Sequence, residues 1–162
     1  MFNKTEYNVI LDNYITRMDN MVDKYPYKCT FFIAHYPTIN KLVGLPHNFC
    51  VPIAIWDDLP NTESLGEAVV GPDYFGVYIC HKINGTPLSK AKLAKVVVHE
   101  FRHIYQYLYW DNFDFNMERR KPWKERKQEI DAIACESKVT PDNFMTIANE
   151  VIEFIWNGKL PF

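Results

Sequence analysis

His99 and His103 stand four residues apart with Glu100 directly after the first, the pattern H-E-x-x-H. On an α-helix, positions i and i+4 share a face, so two imidazoles can grip one metal ion with a carboxylate beside them as a base. The chemistry is that of a zinc hydrolase, and peptide bonds are the expected target. Catalytic zinc takes three protein ligands and leaves a fourth place for water. Glu129 is the expected third ligand, Glu125 is its main rival, and Asp131 is a candidate for orienting a ligand imidazole. Glu100 would take a proton from the metal-activated water and pass it to the leaving amine. Oxyanion stabilisation falls to His81, Tyr78, Tyr105 or Tyr109, among which the sequence does not choose.

These residues need elements to hold them. Leu93, Val96, Val97, Glu100, Ile104 and Leu108 follow helical spacing, and Thr86-Pro87 resembles a cap followed by a first-turn proline. The motif helix is therefore expected from about Pro87 to Trp110. Pro122 opens a second helix through about Glu136, which carries Glu129. Ile130, Ile133 and Ala134 mark its expected buried side, and small Ala132 allows close approach. Upstream, an amphipathic helix is expected over about Thr5–Asp23. Strands are expected at Tyr27–Ala34, Asn48–Trp56 and Phe75–His81. Pro52 cannot donate to a ladder, which puts the second strand at an edge or gives it a bulge. The third should lie beside the motif helix, where as an edge it could pair with an extended peptide. Asp57–Tyr74 reads as a loop that shapes the cleft. Thr140-Pro141 starts a last helix carrying Phe144, Ile147, Val151, Phe154 and Ile155.

The bulk properties fit one domain over residues 1–162, long enough for a sizeable core. A net charge of −2 gives no global argument for nucleic acid or an anionic membrane,. No apolar run reads as a signal peptide or a membrane span. Cys29, Cys50, Cys80 and Cys135 are widely spaced without C-x-x-C, which suits reduced, buried thiols in a cytoplasmic protein. Arg102 is expected to pair with an acidic residue between helices. The basic residues Arg119, Arg120, Lys121, Lys124, Arg126 and Lys127 read as a solvated surface, with an acidic substrate or nucleic acid as the alternative contact.

The H-E-x-R-H motif, the gap of 25 residues, and Glu129-Ile130-Asp131-Ala132 resemble compact zincin metallopeptidases of the ImmA/IrrE type. Small phage-encoded H-E-x-x-H proteins are similar. The resemblance covers about Phe75 to Glu136. It implies a gluzincin-like Zn2+ site in which Glu129 is the third ligand, and a peptide or protein substrate. It also implies an α+β, minimal zincin-like fold: a small twisted mixed sheet packed on an active-site helix and a following third-ligand helix. Phe101 and Arg102 depart from the small residues usual in that family's motif, as in H-E-L-G-H. The family's DNA-binding or sensor domain has no counterpart here, so a regulatory protease acting on a repressor is not implied. Two rival readings are a catalytically silent zinc-binding relative acting as a protein-binding, phage-type inhibitory module, and a SprT-like protease working near DNA. Intact Glu100 argues against the first; the charge and the missing cysteine ribbon argue against the second.

Overall fold

β-Branched and aromatic runs form a four-stranded sheet from β1 (Cys29–His35), β2 (Cys50–Trp56), β3 (Gly66–Gly71) and β4 (Tyr74–Cys80). The computed structural model describes residues 8–10, 12–14, 16, 29–56, 64–71, 74–80 and 82–157. Strand order is β1-β2-β4-β3. β1 and β3 run antiparallel to their neighbours, whereas β2 and β4 are parallel. The helices are α1 (helical residues 8–10, 12–14 and 16), α2 (Pro37–Val43), α3 (Lys90–Tyr109), α4 (Phe115–Glu118), α5 (Lys127–Glu136) and α6 (Phe144–Asn157). A 3-10 turn occupies Trp123–Glu125. This is an α+β fold with a small mixed sheet.

Alternation along the strands sends Val51, Ile53, Ile55, Phe75, Val77 and Ile79 into one buried cluster with Leu93, Val97, Phe101 and Ile104 of α3,. α3 lies against β3 and β4 and is flanked by α2, α5 and α6. The opposite face of β4 is closed at Gly76, where the ring of buried Tyr14 lies so near that an added Cβ would meet it at 2.6 Å. The Tyr14 hydroxyl donates to the Val77 carbonyl at 2.7 Å.

Several sequence expectations need correction. β2 is interior, and its ladder with β1 carries no bulge. Pro52 is tolerated because its β4 partnering starts one residue later, at Ile53↔Val77, so no ladder is broken on that side. β4 is also interior, so it is not an edge for a peptide; among the described strands the edges are β1 and β3, and β3 lies inside the stretch expected to be loop. Asn84 and Gly85 have φ of 51° and 78°, the type I′ geometry of a tight hairpin. They join β5 (Lys82–Ile83) to β6 (Thr86–Pro87), so Thr86-Pro87 is strand rather than helix start. α3 begins at Lys90 instead, with the Ser89 hydroxyl accepting from the Lys92 N–H at 3.2 Å,. The second expected helix is broken at Arg126, whose ψ of 130° is extended. On α5 the buried residues are Gln128, Ala132 and Cys135, whereas Ile130 and Ile133 are 54% and 41% exposed and Ala134 is exposed too. The rest of the expected helix over residues 5–23 lies outside the described residues. Among the described residues no helix is long and apolar enough to cross a membrane.

Candidate metal centre

α3 packs its apolar stripe into the core and turns His99, Glu100 and His103 toward a cleft beneath the edge of β3. The start of α5 brings Glu129 to the same point. Nε2 of His99 and Nε2 of His103 are 3.1 Å apart. Oε2 of Glu129 lies 3.1 Å from the first and 3.4 Å from the second. These three side chains are only 10%, 15% and 12% exposed. The triad could hold a metal ion.

The hydrogen bonds behind the triad dictate which ring nitrogens face it. Nδ1 of His99 is 2.9 Å from Oε1 of Glu136, which can only accept from it when ionised,. Nδ1 of His103 is 2.8 Å from Oε1 of Gln106. The amide nitrogen of Gln106 donates to the Gln128 carbonyl and to Asp131, each at 2.8 Å, so its oxygen is left to accept. Both imidazoles therefore carry their proton on Nδ1 and turn Nε2 to each other and to Glu129. Two nitrogen lone pairs and a carboxylate oxygen at about 3 Å repel one another unless a cation or an added proton lies between them. Proton affinities report the same field. Burial disfavours the His99 cation, but Glu129 and Glu136 outweigh it and raise the pKa to about 10. His103 is raised as well: burial opposes its charge, and Glu129, Glu100 and Gln106 outweigh the burial. Glu129, despite its own burial, is pulled down to about 2 by His103 and His99.

Glu100 is 7% exposed, and burial lifts it to about 7, with His103 and His99 pulling the other way. Its carboxylate accepts from the Ala68 N–H of β3. Gly66 is what lets β3 come so near: a Cβ there would meet Cγ of Glu100 at 2.9 Å and Cγ1 of Val96 at 3.0 Å.

The other sequence candidates are distributed unevenly. Glu125 is exposed on the 3-10 turn, beyond the break at Arg126. Asp131 does not touch an imidazole. It forms a forked ion pair with Arg102, Nε to Oδ2 at 2.7 Å and Nη2 to Oδ1 at 3.2 Å, and reaches His103 only through Gln106. Tyr78 is on the sheet face shared with Glu67, to which its hydroxyl donates at 2.6 Å, and it does not line the cleft. Tyr105 turns away as well, stacked on Tyr109 at 4.9 Å with the Arg102 guanidinium 4.0 Å from its ring centre. Tyr107 is the tyrosine that lines the cleft. His81 lies outside the described residues. Cys80 is a buried thiol directed at the Lys82 carbonyl, outside the triad.

Three contributors escaped the sequence reading. Glu136 is seven residues beyond Glu129, two turns along one helix face, and Gln106 is three beyond His103, spacings that would have flagged both,. Trp123 lies face-on to His99, with ring centres 6.3 Å apart and planes at 16°. No family model, curated protein or solved structure matches the chain.

Proposed function

We propose that the chain is a zinc-dependent peptide hydrolase. The observation that carries the reading is the triangle of donor atoms. Tetrahedral zinc with bonds of 2.0–2.1 Å sets its ligand atoms about 3.3 Å apart, and the distances here are 3.1, 3.1 and 3.4 Å. Two imidazoles and one carboxylate are also a donor set that zinc accepts. Bound there, zinc would supply Lewis acidity and lower the pKa of a water molecule toward about 7.

The chain's own residues fit the remaining steps. Among the described residues Glu100 is the only carboxylate at the triad not committed to an imidazole. A cation on the triad draws it toward its ionised form, so it can receive a proton and return one to a leaving amine. The cleft has a volume of about 940 Å3. Among the described residues β3 has no strand on its outer side, an edge that suits an extended peptide. Lys92, Val96, His99, His103 and Tyr107 follow that edge along α3. From Lys92 to Tyr107 the helix rises about 22 Å, room for six or seven extended residues.

The test combines metal analysis with a cleavage assay. Purified protein should hold one zinc per chain, and it should cut an unfolded protein substrate. Glu100→Gln should keep the zinc and lose the cleavage. Protein that carries zinc but cuts nothing would support a metal-binding module without catalysis, and protein without zinc would remove the basis of the reading.

A further inference from the structure

Charges in the cleft are unevenly compensated. Among the described residues four carboxylates line it, and each has a partner within the protein: Glu67 with Tyr78, Glu100 with the Ala68 N–H, Glu129 with both imidazoles, and Glu136 with His99. The cations differ. Arg119 and Lys92 line the same cleft, and neither side chain has a hydrogen bond or ion pair among the described residues. Arg126 uses Nε and Nη2 on the carbonyls of Lys121 and Arg119, at 3.0 and 3.1 Å. That fixes its plane and leaves guanidinium donors over.

Gln128 provides an independent observation. It is 5% exposed and lines the cleft, and its Oε1 is buried with no hydrogen-bond partner among the described residues. Buried amides are ordinarily satisfied, so an unmatched acceptor in the wall of a cleft calls for a donor such as a peptide N–H, and the carboxylate of such a ligand falls to the guanidinium groups instead. Beside it, Trp123 is 47% exposed while facing His99, an aromatic wall at the triad. The first turn of α5 adds its dipole, which favours an anion.

We propose that this end of the cleft, walled by Arg119, Arg126, Gln128 and Trp123, binds a substrate carboxylate next to the bond that is cut. The carboxylate belongs either to an acidic side chain or to the C-terminus of the substrate. The inference rests on the peptide-hydrolase reading for its substrate, but its binding half can be measured without turnover. Zinc-loaded Glu100→Gln protein is titrated with labelled hexapeptides in matched pairs, Glu against Gln at each position and free C-terminal acid against amide. The acidic member of a pair should bind about tenfold tighter, as expected for a charge-assisted hydrogen bond at a partly solvated site. Adding Arg119→Ala should abolish that advantage, and Arg119→Glu should transfer it to a Lys peptide. The Glu/Gln pairs report an acidic side chain and the acid/amide pair a chain terminus. Equal binding within every pair, or an acidic preference that survives Arg119→Glu, overturns the proposal. The same peptides given to the unmodified protein separate the two ideas. Preferential binding without cleavage defeats the hydrolase reading alone, and cleavage with no preference defeats this one alone.

Discussion

Removing the Glu136 carboxylate should weaken zinc binding without touching a ligand. Glu136 accepts from Nδ1 of His99 at 2.9 Å, and it is 30% exposed. Orienting partners of metal-bound histidines are worth about 10–100-fold in affinity. Partial exposure lets water replace the lost acceptor, so about tenfold is expected for Glu136→Ala. At a zinc concentration 100 times the wild-type Kd, binding stabilises the fold by about 2.7 kcal/mol, and a tenfold weaker site leaves about 1.4 kcal/mol. The difference of about 1.3 kcal/mol corresponds to about 3–5 °C of lost zinc-dependent Tm shift in a domain of this size. Calorimetric scans with and without zinc measure the shift, and competition with a chromophoric chelator measures Kd directly. Glu136→Gln, which retains an acceptor, should fall between wild type and Glu136→Ala. Glu125→Ala should change neither quantity. A wild-type Kd and an undiminished zinc shift in Glu136→Ala would refute the argument that this carboxylate orients His99.

Three further outcomes are expected. Gly66→Ala forces a Cβ into Cγ of Glu100 and toward the Tyr78 carbonyl at 3.2 Å; displacement of the base should lower kcat by at least about tenfold with zinc content unchanged, and wild-type turnover would contradict the packing. Ile130→Ala should cost less than about 1 kcal/mol in urea titrations because the side chain lies outside the core, whereas Ile147→Ala, fully buried, should cost about 2–5 kcal/mol; equal losses would put Ile130 in a core. In zinc-free protein, Glu129 and Glu136 overcome burial to favour protonated His99, so its contribution to stability is full below the ordinary value of 6.5 and is lost as pH rises through about 10,. Zinc must displace that proton, so zinc affinity should rise across the same window, and titration calorimetry in buffers of differing ionisation enthalpy should register proton release at pH 7; zero release would contradict the coupling.

The parts of this chain that were legible in sequence are those where a single periodicity acts. The motif helix, the approach of Glu129 and the α+β class follow from three-to-four spacing and β-branched runs. The parts that were not legible are those where competing signals had to be ranked. Asn84-Gly85 is a hairpin signal, but the adjacent Thr86-Pro87 imitates a helix cap; the turn won because both of its residues adopt positive φ. β3 was hidden because Gly66 and Gly71 bracket a short strand inside a polar stretch, although Ala68-Val69-Val70 is a β-prone core. The buried face of α5 was misjudged because Ile130 and Ile133 are more apolar than Ala132 and Cys135. Yet α5 must bring Glu129 to α3 at close range, and only the face with small residues permits that approach.

The same constraint explains why Glu129, and not Asp131, faces the histidines. Both carboxylates belong to the first half of α5, and both contact α3. Arg102 settles the choice. Its guanidinium grips both oxygens of Asp131 and donates to the Val43 carbonyl at 2.7 Å, which ties α3 to α5 and to the end of α2. Held in this way, Asp131 is kept below its ordinary value: burial pushes it up, but Arg102 and Gln106 prevail. It therefore remains an acceptor for Gln106, and through that amide it sets the tautomer of His103. The bulky charged residue inside H-E-x-R-H is thus part of the centre's construction. One helix, α5, supplies the third donor directly, the His99 partner at its end, and the His103 partner through Arg102 and Gln106. A metal on the triad would consequently staple α3 to α5, so losing the ion should loosen α5 before it loosens the sheet.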